Sequence, residues 1–589
     1  TTRYANVKDL PRRVKIYDRD DLDAVQKMLR DTPGVSVLIY DQVCATEKRR
    51  RSKRGLRAPD RTRVLINTEV CEGCGDCSIK SNCLSVEPVE TELGRKRRIN
   101  QSTCNTDLSC VKGFCPSFIT VTDGEFTAKD QPRREIDASG IPLPEIPTLD
   151  RAWNVLFTGV GGTGVTTVAA ILAMAAHVDG HAASSLDMTG LAQKGGPVLS
   201  HLRFAREPDM ISTGRVPPAS TDCMIACDLV VAAGGDALNL MDAERTMAWA
   251  NSDVTPTSEF IRDRHKKFEA DLLSARVKRQ ASDFGVFDAE ALSILYFNDA
   301  IYTNMIMAGF AWQKGGVPVS LRGVYRAIKL NGVKAEDNMA AFDLGRLAAH
   351  NPDRLENAKD PRGHVAEMTL DELIEDRAAR LVEYQNEAYA QQYRDVVAKV
   401  RAAESQKELG ERLTTAVAKY AFKLMAYKDE YEVARLWTNG KFDAYLAKTF
   451  KGGKVNFHLA PPLFSKKDAN GHLIKKNFGP WMKTSFKIMK RFKGLRGTRF
   501  DLFGYTEERK MERALRDDYI VALDTIAAEL SSKNLELAVA IAEVPDDIRG
   551  YGHVKEASVE AAEAAREALW AGWPLGAMPK AKTTLIGSK

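Results

Sequence analysis

Outside one short stretch this sequence is nearly without cysteine: of ten in 589 residues, only Cys44, Cys223 and Cys227 lie elsewhere. That scarcity excludes a scaffold stapled by disulfides, which belong to secreted chains. No apolar run approaches the ~20 residues of a membrane span, so no spanning helix is expected. No signal peptide opens the chain, which starts at Thr1 without methionine and reads as a processed or partial polypeptide. No segment recurs at a fixed period, which excludes a solenoid or propeller. Charge of one sign is scarce as well, the net value being +6. It is concentrated in KRRRSKRGLRAPDRTR (Lys48 to Arg63), with nine Lys/Arg against one acid. Nothing aromatic interrupts that run to stack on bases, so it reads as a solvated linker between ordered segments and nucleic acid is not expected as a partner. What remains, 44% hydrophobic and 28% charged, is the composition of a soluble globular protein of about three or four domains.

The missing cysteines are all in one place. Seven fall between Cys71 and Cys115, spaced Cys71-x2-Cys74-x2-Cys77-x5-Cys83 and then Cys104-x5-Cys110-x4-Cys115-Pro116. Seven is an odd number for disulfides, and a zinc ribbon uses two CxxC pairs rather than three cysteines at i, i+3 and i+6. The triple lets one turn of backbone wrap three corners of an iron-sulfur cube, and a remote Cys-Pro supplies the fourth. In two-cluster ferredoxins each such run gives three ligands to one cube while its next cysteine crosses to the other. By that logic Cys71, Cys74, Cys77 and Cys115 hold one 4Fe-4S cluster. Cys83 then crosses to Cys104 and Cys110, and Asp107 stands where the second run's middle cysteine should be. The second position is Asp-ligated, three-iron or lost; alternatively Asp107 is a surface loop residue and Cys83, Cys104 and Cys110 merely line the fold. Free thiols and clusters of this kind point to a reducing cytoplasm.

Around this module the chain reads as follows. Residues 13–42 have the pattern strand, helix, strand: VKIYD, then DLDAVQKMLRDT with helical periodicity, then the apolar run GVSVLIYDQ. This piece is too small for a core of its own and resembles the end of a domain whose bulk lies elsewhere. QPRREIDASGIPLPEIPTLDRAW is a proline-rich connector, extended across a surface. NVLFTGVGGTGVTTVAAILA runs an apolar strand (Val155 to Thr158) into Gly159-x-Gly161-x-x-Gly164 and directly into a helix. That arrangement permits a tight turn and presents backbone N–H groups to a phosphate, unless the glycines only pack helix on strand. The first acid at a strand end is Asp187, too far along for a nicotinamide site. From about Glu372 the chain turns helical, with KDEYEVARLW, FHLAPPLF, LRGTRFDLFGYTEER and IRGYGHVKE interspersed. His458 and His553 read as hydrogen-bonded structural histidines rather than catalysts.

VCEGCGDC…CVKGFCPSF, NVLFTGVGGTGVTTVAAILA with LAQKGGPVLSHLRF, and KDEYEVARLW, FHLAPPLF and IRGYGHVKE together resemble the C-terminal half of the long bacterial indolepyruvate ferredoxin oxidoreductases, members of the 2-oxoacid:ferredoxin oxidoreductase family. The resemblance spans nearly the whole chain and implies a multidomain α/β plus α architecture. Residues 1–55 would be the tail of a thiamine-diphosphate-binding domain with its basic linker, 56–130 a ferredoxin-like iron-sulfur module and 131–150 a linker. Residues 151–365 would be a doubly wound gamma-type α/β domain, and 366–589 a mainly helical domain. It implies oxidative decarboxylation of a 2-oxoacid, an aryl-pyruvate such as indolepyruvate, with coenzyme A to acyl-CoA, CO2 and reduced ferredoxin. No Gly-Asp-Gly with its downstream Asn occurs here to hold magnesium and diphosphate, so thiamine diphosphate and Mg2+ belong to a missing half or partner subunit. No catalytic residue is then expected on this chain, which is the electron-exit part of a homo-oligomeric enzyme. Gly159, Gly161, Gly162, Thr163, Gly164, Lys194 and Gly195 are the expected cofactor-binding residues, for coenzyme A or the diphosphate end of thiamine diphosphate. The alternatives are a stand-alone iron-sulfur electron carrier and a ferredoxin reductase-like protein with a dinucleotide-binding domain.

Overall fold

The computed structural model describes residues 11, 14–127, 134–190, 195–254, 269–355, 368–461, 465–467, 471–573 and 575–576. The chain divides into two compact units, Thr1–Pro59 and Asp60–Lys589. In the first unit the periodic stretch forms the expected helix, Leu22–Arg30, and the basic run opens as a second helix, Ala45–Lys53. The two flanking strands do not form among the described residues. An extended run satisfies its N–H and C=O groups only against a neighbour, and the described residues of this unit offer no strand to pair with. GVSVLIYDQ is therefore left bare, with Val35 99% and Ile39 84% exposed.

The second unit begins with the cysteine-bearing layer. Strand β1 (Thr62–Ile66) and hairpin β2 (Val86–Val89)–β3 (Lys96–Ile99) precede β4 (Phe118–Thr122) and the short β5 (Glu125–Phe126). β1 pairs antiparallel with β4, Ile66 opposite Phe118. The connector at 134–150 runs extended, as read, and buries Ile141 and Leu149 in the core of the next domain.

That domain is a six-stranded sheet. Its strands are β6 (Trp153–Val160), β7 (Ala182–Thr189), β8 (Pro197–Ala205), β9 (Cys223–Ala226), β10 (Met247–Asn251) and β11 (Asp283–Phe287), in the order β11-β10-β9-β6-β8-β7. β6, β9, β10 and β11 run parallel, while β7 and β8 form an antiparallel hairpin on one edge, with β8 against β6. The segment PVLSHLRFA thus supplies an internal strand. Alternation divides the buried side chains between two faces: Val155, Phe157 and Ile225 enter one core with helices Val165–Val178 and Thr303–Gln313, while Leu156, Met224 and Ala226 enter another. Both faces are covered, as a parallel sheet requires.

The C-terminal region is helical, as its composition requires, with its core between helices such as Leu370–Tyr384, Glu387–Gln406, Arg412–Met425 and Glu507–Glu529. Thr369 and Glu372 form a reciprocal capping box at the first of these. It is not separate from the cysteine layer, however. After the short β12 (Phe450–Lys451), which pairs with β5, β13 (Lys454–Leu459) pairs with β4, Phe457 opposite Ile119, and β14 (Lys476–Phe478) follows. The resulting sheet, β1-β4-β13-β14, crosses the boundary that the sequence placed between the two regions. An unpaired edge of β4 would expose a row of unsatisfied backbone groups, and β13 covers it.

Candidate functional site

The loop after β1 is anchored by Val70, which is fully buried, and turns through Gly73 (φ 70°) and Gly75 (φ 81°) into the short helix Asp76–Ser81. Those left-handed positions suit glycine and let the chain curl back on itself. Cys71, Cys74 and Cys77 thereby line one small cavity together with Cys115, among Ile66, Arg97 and Phe118. Gly113 lies against the Cys77 backbone, where a Cβ would come within 2.7 Å of the Cys77 Cα, so the two cysteine segments are in direct contact. Asp76 accepts the Phe114 N–H at 2.6 Å, and Cys115 Sγ stands 2.9 Å from Ser117 Oγ. Burial, and then the neighbouring thiols, push the Cys74 and Cys77 thiols well above their ordinary value; Cys115 is raised too, chiefly by burial. A cation bound among them inverts that preference.

A second set gathers beside the first. The Cys110 thiol is pushed up by burial and then by Cys104, Cys83 and Asp107. Cys104 and Cys110 are buried, whereas Asp107 is exposed and accepts the Ser109 hydroxyl at 2.9 Å, capping the turn that follows. Thr106 and Leu108 on either side hold positive φ (55° and 60°), a conformation unusual for such residues. Among the described residues no three His, Cys, Asp or Glu side chains converge on a single-ion site. A cube of four irons spreads its ligands over its corners, so thiols facing one another across a cavity are the relevant arrangement.

Sequence reasoning did not anticipate the groups that surround these thiols. The buried Arg97 guanidinium faces Cys77, Cys71 and Cys74. Lys475, from the C-terminal region, donates to the carbonyls of Val111 (3.0 Å) and Gly113 (2.7 Å), beside Cys115, Cys77 and Cys110. Lys428 donates to Val70 O and Cys71 O, Tyr551 Oη to Val70 O at 2.6 Å, and Trp437 Nε1 to Pro116 O at 3.2 Å. Lys428 and Trp437 bound the run KDEYEVARLW, and Tyr551 lies in IRGYGHVKE. The runs stood out in the sequence, but nothing in them said that they cap the cysteine loops.

His458 and His553 have the structural surroundings expected of them. His458 Nε2 stands 3.1 Å from Thr120 Oγ1 across the β13–β4 pairing, and the His553 ring stacks on His472 with centroids 3.8 Å apart. Burial, then the Lys475 charge, hold His458 at about 4. The unfolded chain protonates this group near pH ~6.5. Its contribution to stability is therefore complete above that pH and lost as pH falls toward the folded value. We expect His458→Gln to flatten the acid limb of the urea-midpoint profile between about pH 6.5 and 4. A limb as steep as the parent's would exclude His458 as its source.

In the glycine loop, Gly159 is a packing residue: a Cβ there would meet Val165 Cγ2 at 2.5 Å. Gly162 (φ 89°) and Gly164 (φ 95°) make the turn into helix Val165–Val178. The Gly161 N–H donates to Gly196 O at 2.7 Å and the Gly195 N–H to Gly161 O at 3.3 Å, so these two amides are engaged within the protein. Thr163 Oγ1 donates to Val160 O at 2.7 Å. Gly195 presses on Leu84, with a Cβ position 1.8 Å from Leu84 Cδ1, which places this loop against the residue after Cys83. Lys194 and Gln193 lie outside the described residues. Asp187 accepts the Ser200 hydroxyl across the β7–β8 hairpin.

Residues 154–348 match the family model described as pyruvate ferredoxin/flavodoxin oxidoreductase, and residues 370–568 match a family of unknown function (DUF6537). Indolepyruvate oxidoreductase subunit IorB of Pyrococcus horikoshii is 29% identical over 204 residues, covering 34% of this chain and 96% of that protein. The gamma subunit of NADH-dependent phenylglyoxylate dehydrogenase from Aromatoleum evansii is 27% identical over 207 residues, covering 34% and 97%. Among solved structures, pyruvate oxidoreductase subunit PORC of Thermotoga maritima aligns with a TM-score of 0.25 at 17% identity, covering 33% of this chain and 96% of that one. By its match to the family model, the α/β domain is of the pyruvate ferredoxin/flavodoxin oxidoreductase type. Over that domain the chain is similar to the indolepyruvate/2-oxoacid ferredoxin oxidoreductases.

Proposed function

We propose that this chain is the electron-exit part of a 2-oxoacid:ferredoxin oxidoreductase acting on an aryl-pyruvate such as indolepyruvate, with coenzyme A as co-substrate and ferredoxin as acceptor. The observation that carries this reading is the presence of two groups of four potential ligands, Cys71/Cys74/Cys77/Cys115 and Cys83/Cys104/Cys110/Asp107, in the same compact unit as the family's α/β domain. The donor set suits iron-sulfur clusters: buried thiols, cations beside them and glycine turns that curl the backbone round them. Such clusters carry one electron at a time when bound. The chain's own residues hold them, with Arg97 and Lys475 offsetting negative charge and the β13 side excluding water.

Thiamine diphosphate with Mg2+ belongs, in this reading, to a partner half or subunit in a cytoplasmic homo-oligomer. The bare run from Val35 to Tyr40 suits burial against such a partner. Among the described residues no helix is long and apolar enough to cross a membrane. The loop from Gly159 to Gly164, with Lys194 and Gly195, is proposed to face coenzyme A or the diphosphate. With the Gly161 and Gly195 amides engaged, the amides of Gly162, Gly164 and the helix start, which make no backbone hydrogen bond among the described residues, are proposed for that contact.

The test is iron content and EPR of anaerobically purified protein, with Asp107→Cys beside the parent. About eight irons, with one spectrum altered by the substitution, are expected for two clusters of which one is Asp-ligated. About four irons and an unchanged spectrum would remove the second cluster. A native complex without thiamine diphosphate would favour the stand-alone electron carrier, and a flavin spectrum the reductase.

A further inference from the structure

We propose that the cavity between hairpin β2–β3 and the C-terminal helices binds an amphipathic organic anion whose carboxylate or phosphate sits on Lys96. The cavity holds about 1010 Å³, at the upper end of the ~300–1,000 Å³ of small-molecule sites. It is separate from the glycine loop, and no part of the argument depends on the reading of the cysteines.

Its walls differ in character. Leu373, Phe422, Leu515 and Ile548 make one side apolar. The other gathers Lys96, Lys423, Lys428 and Arg549, with Glu72, Glu512 and Asp546 among the carboxylates between them. Three of these cations are engaged already. Lys428 pairs with Glu72 at 2.6 Å, Lys423 donates to Pro545 O and Asp546 O, and Arg549 pairs with Asp546 at 2.7 Å.

Lys96 differs from them. It lies on β3, is only 7% exposed and borders the cavity, yet its ammonium makes no hydrogen bond or ion pair among the described residues. Lys428 and Arg549 repel it, and Glu72, which attracts it, is already paired with Lys428, so its ammonium has no direct partner of its own. Burial, then Lys428, lower its pKa to about 8, and burial lowers that of Lys423 to about 7. An anion entering from the cavity supplies the missing partner, while its apolar body lies on the leucine and phenylalanine side. A carrier phosphate such as that of coenzyme A and the carboxylate of an aryl 2-oxoacid share this chemistry.

The experiment uses the full chain and two probes, coenzyme A and phenylpyruvate, titrated by calorimetry against parent, Lys96→Met and Lys96→Arg. One probe is expected to bind saturably, to lose about tenfold or more in affinity with methionine, and to keep most of it with arginine. Which probe binds tells phosphate from carboxylate. On the parent alone, the bound probe should also protect Lys96 from an amine-reactive reagent, read by peptide mass spectrometry, so the test survives a variant that fails to fold. Binding by neither probe, equal affinity in Lys96→Met, or an unprotected Lys96 would each overturn the proposal. Iron content is measured on the same samples, so loss of the clusters is distinguishable from loss of this site.

Discussion

On the iron-sulfur reading proposed above, Cys77→Ser should remove about four irons per chain and abolish the EPR signal of the cluster that Cys71, Cys74, Cys77 and Cys115 would hold. Cys77 is buried within its set: it is 6% exposed, faces Cys71, Cys74 and Cys115, and has Gly113 packed against its backbone. Serine keeps the volume and polarity but is a hard, weakly acidic ligand where iron-sulfur chemistry needs a soft thiolate. No other cysteine can shift into the place, because the turn through Gly73 and Gly75 sets the position of each thiol. Cys223→Ser is the control. It is just as buried but lies on β9 of the other sheet, and its iron content should equal the parent's. Equal iron in Cys77→Ser and parent would remove these four thiols from any cluster.

Gly309→Val is expected to destabilise the α/β domain by about 3 kcal/mol or more, read as a lower urea midpoint of the transition reported by the buried Trp312. Helix Thr303–Gln313 is buried nearly throughout and crosses helix Ala335–His350 with backbone on backbone. A Cβ on Gly309 would fall 2.0 Å from Phe342 O, and one on Gly345 would fall 2.0 Å from Ile306 O. Neither neighbour is a side chain that can rotate away, so the helices must separate and lose contacts along their whole crossing. Gly235→Ala is the matched control: it is helical, with nothing within 4 Å of the added methyl, and should be neutral or slightly stabilising. A Gly309→Val midpoint equal to the control's would show that the crossing can relax.

The apolar run GVSVLIYDQ carries the composition of a buried strand, yet among the described residues it forms no strand pairing. Residue pattern sets which segments can be strands; the availability of an edge decides which become them. KVNFHL shows the converse. Val455, Phe457 and Leu459 alternate as a strand should, but only the folded chain shows that its partner is β4, more than three hundred residues earlier.

By itself the sequence determined what depends on local spacing. The interval of three between Cys71, Cys74 and Cys77, the strand–glycine–helix order after Val155 and the helical periods beyond Glu372 are properties of neighbouring residues. Backbone geometry translates them directly into turns and helices. Tertiary structure alone decided which distant groups meet. It set Lys475 and Lys428 on the carbonyls of the cysteine loops, Gly195 against Leu84, and Lys96 in a cavity walled by helices hundreds of residues away. Those juxtapositions follow from how whole faces pack and which edges are left to cover, and a single lysine or glycine in the sequence carries no mark of the surface it will face.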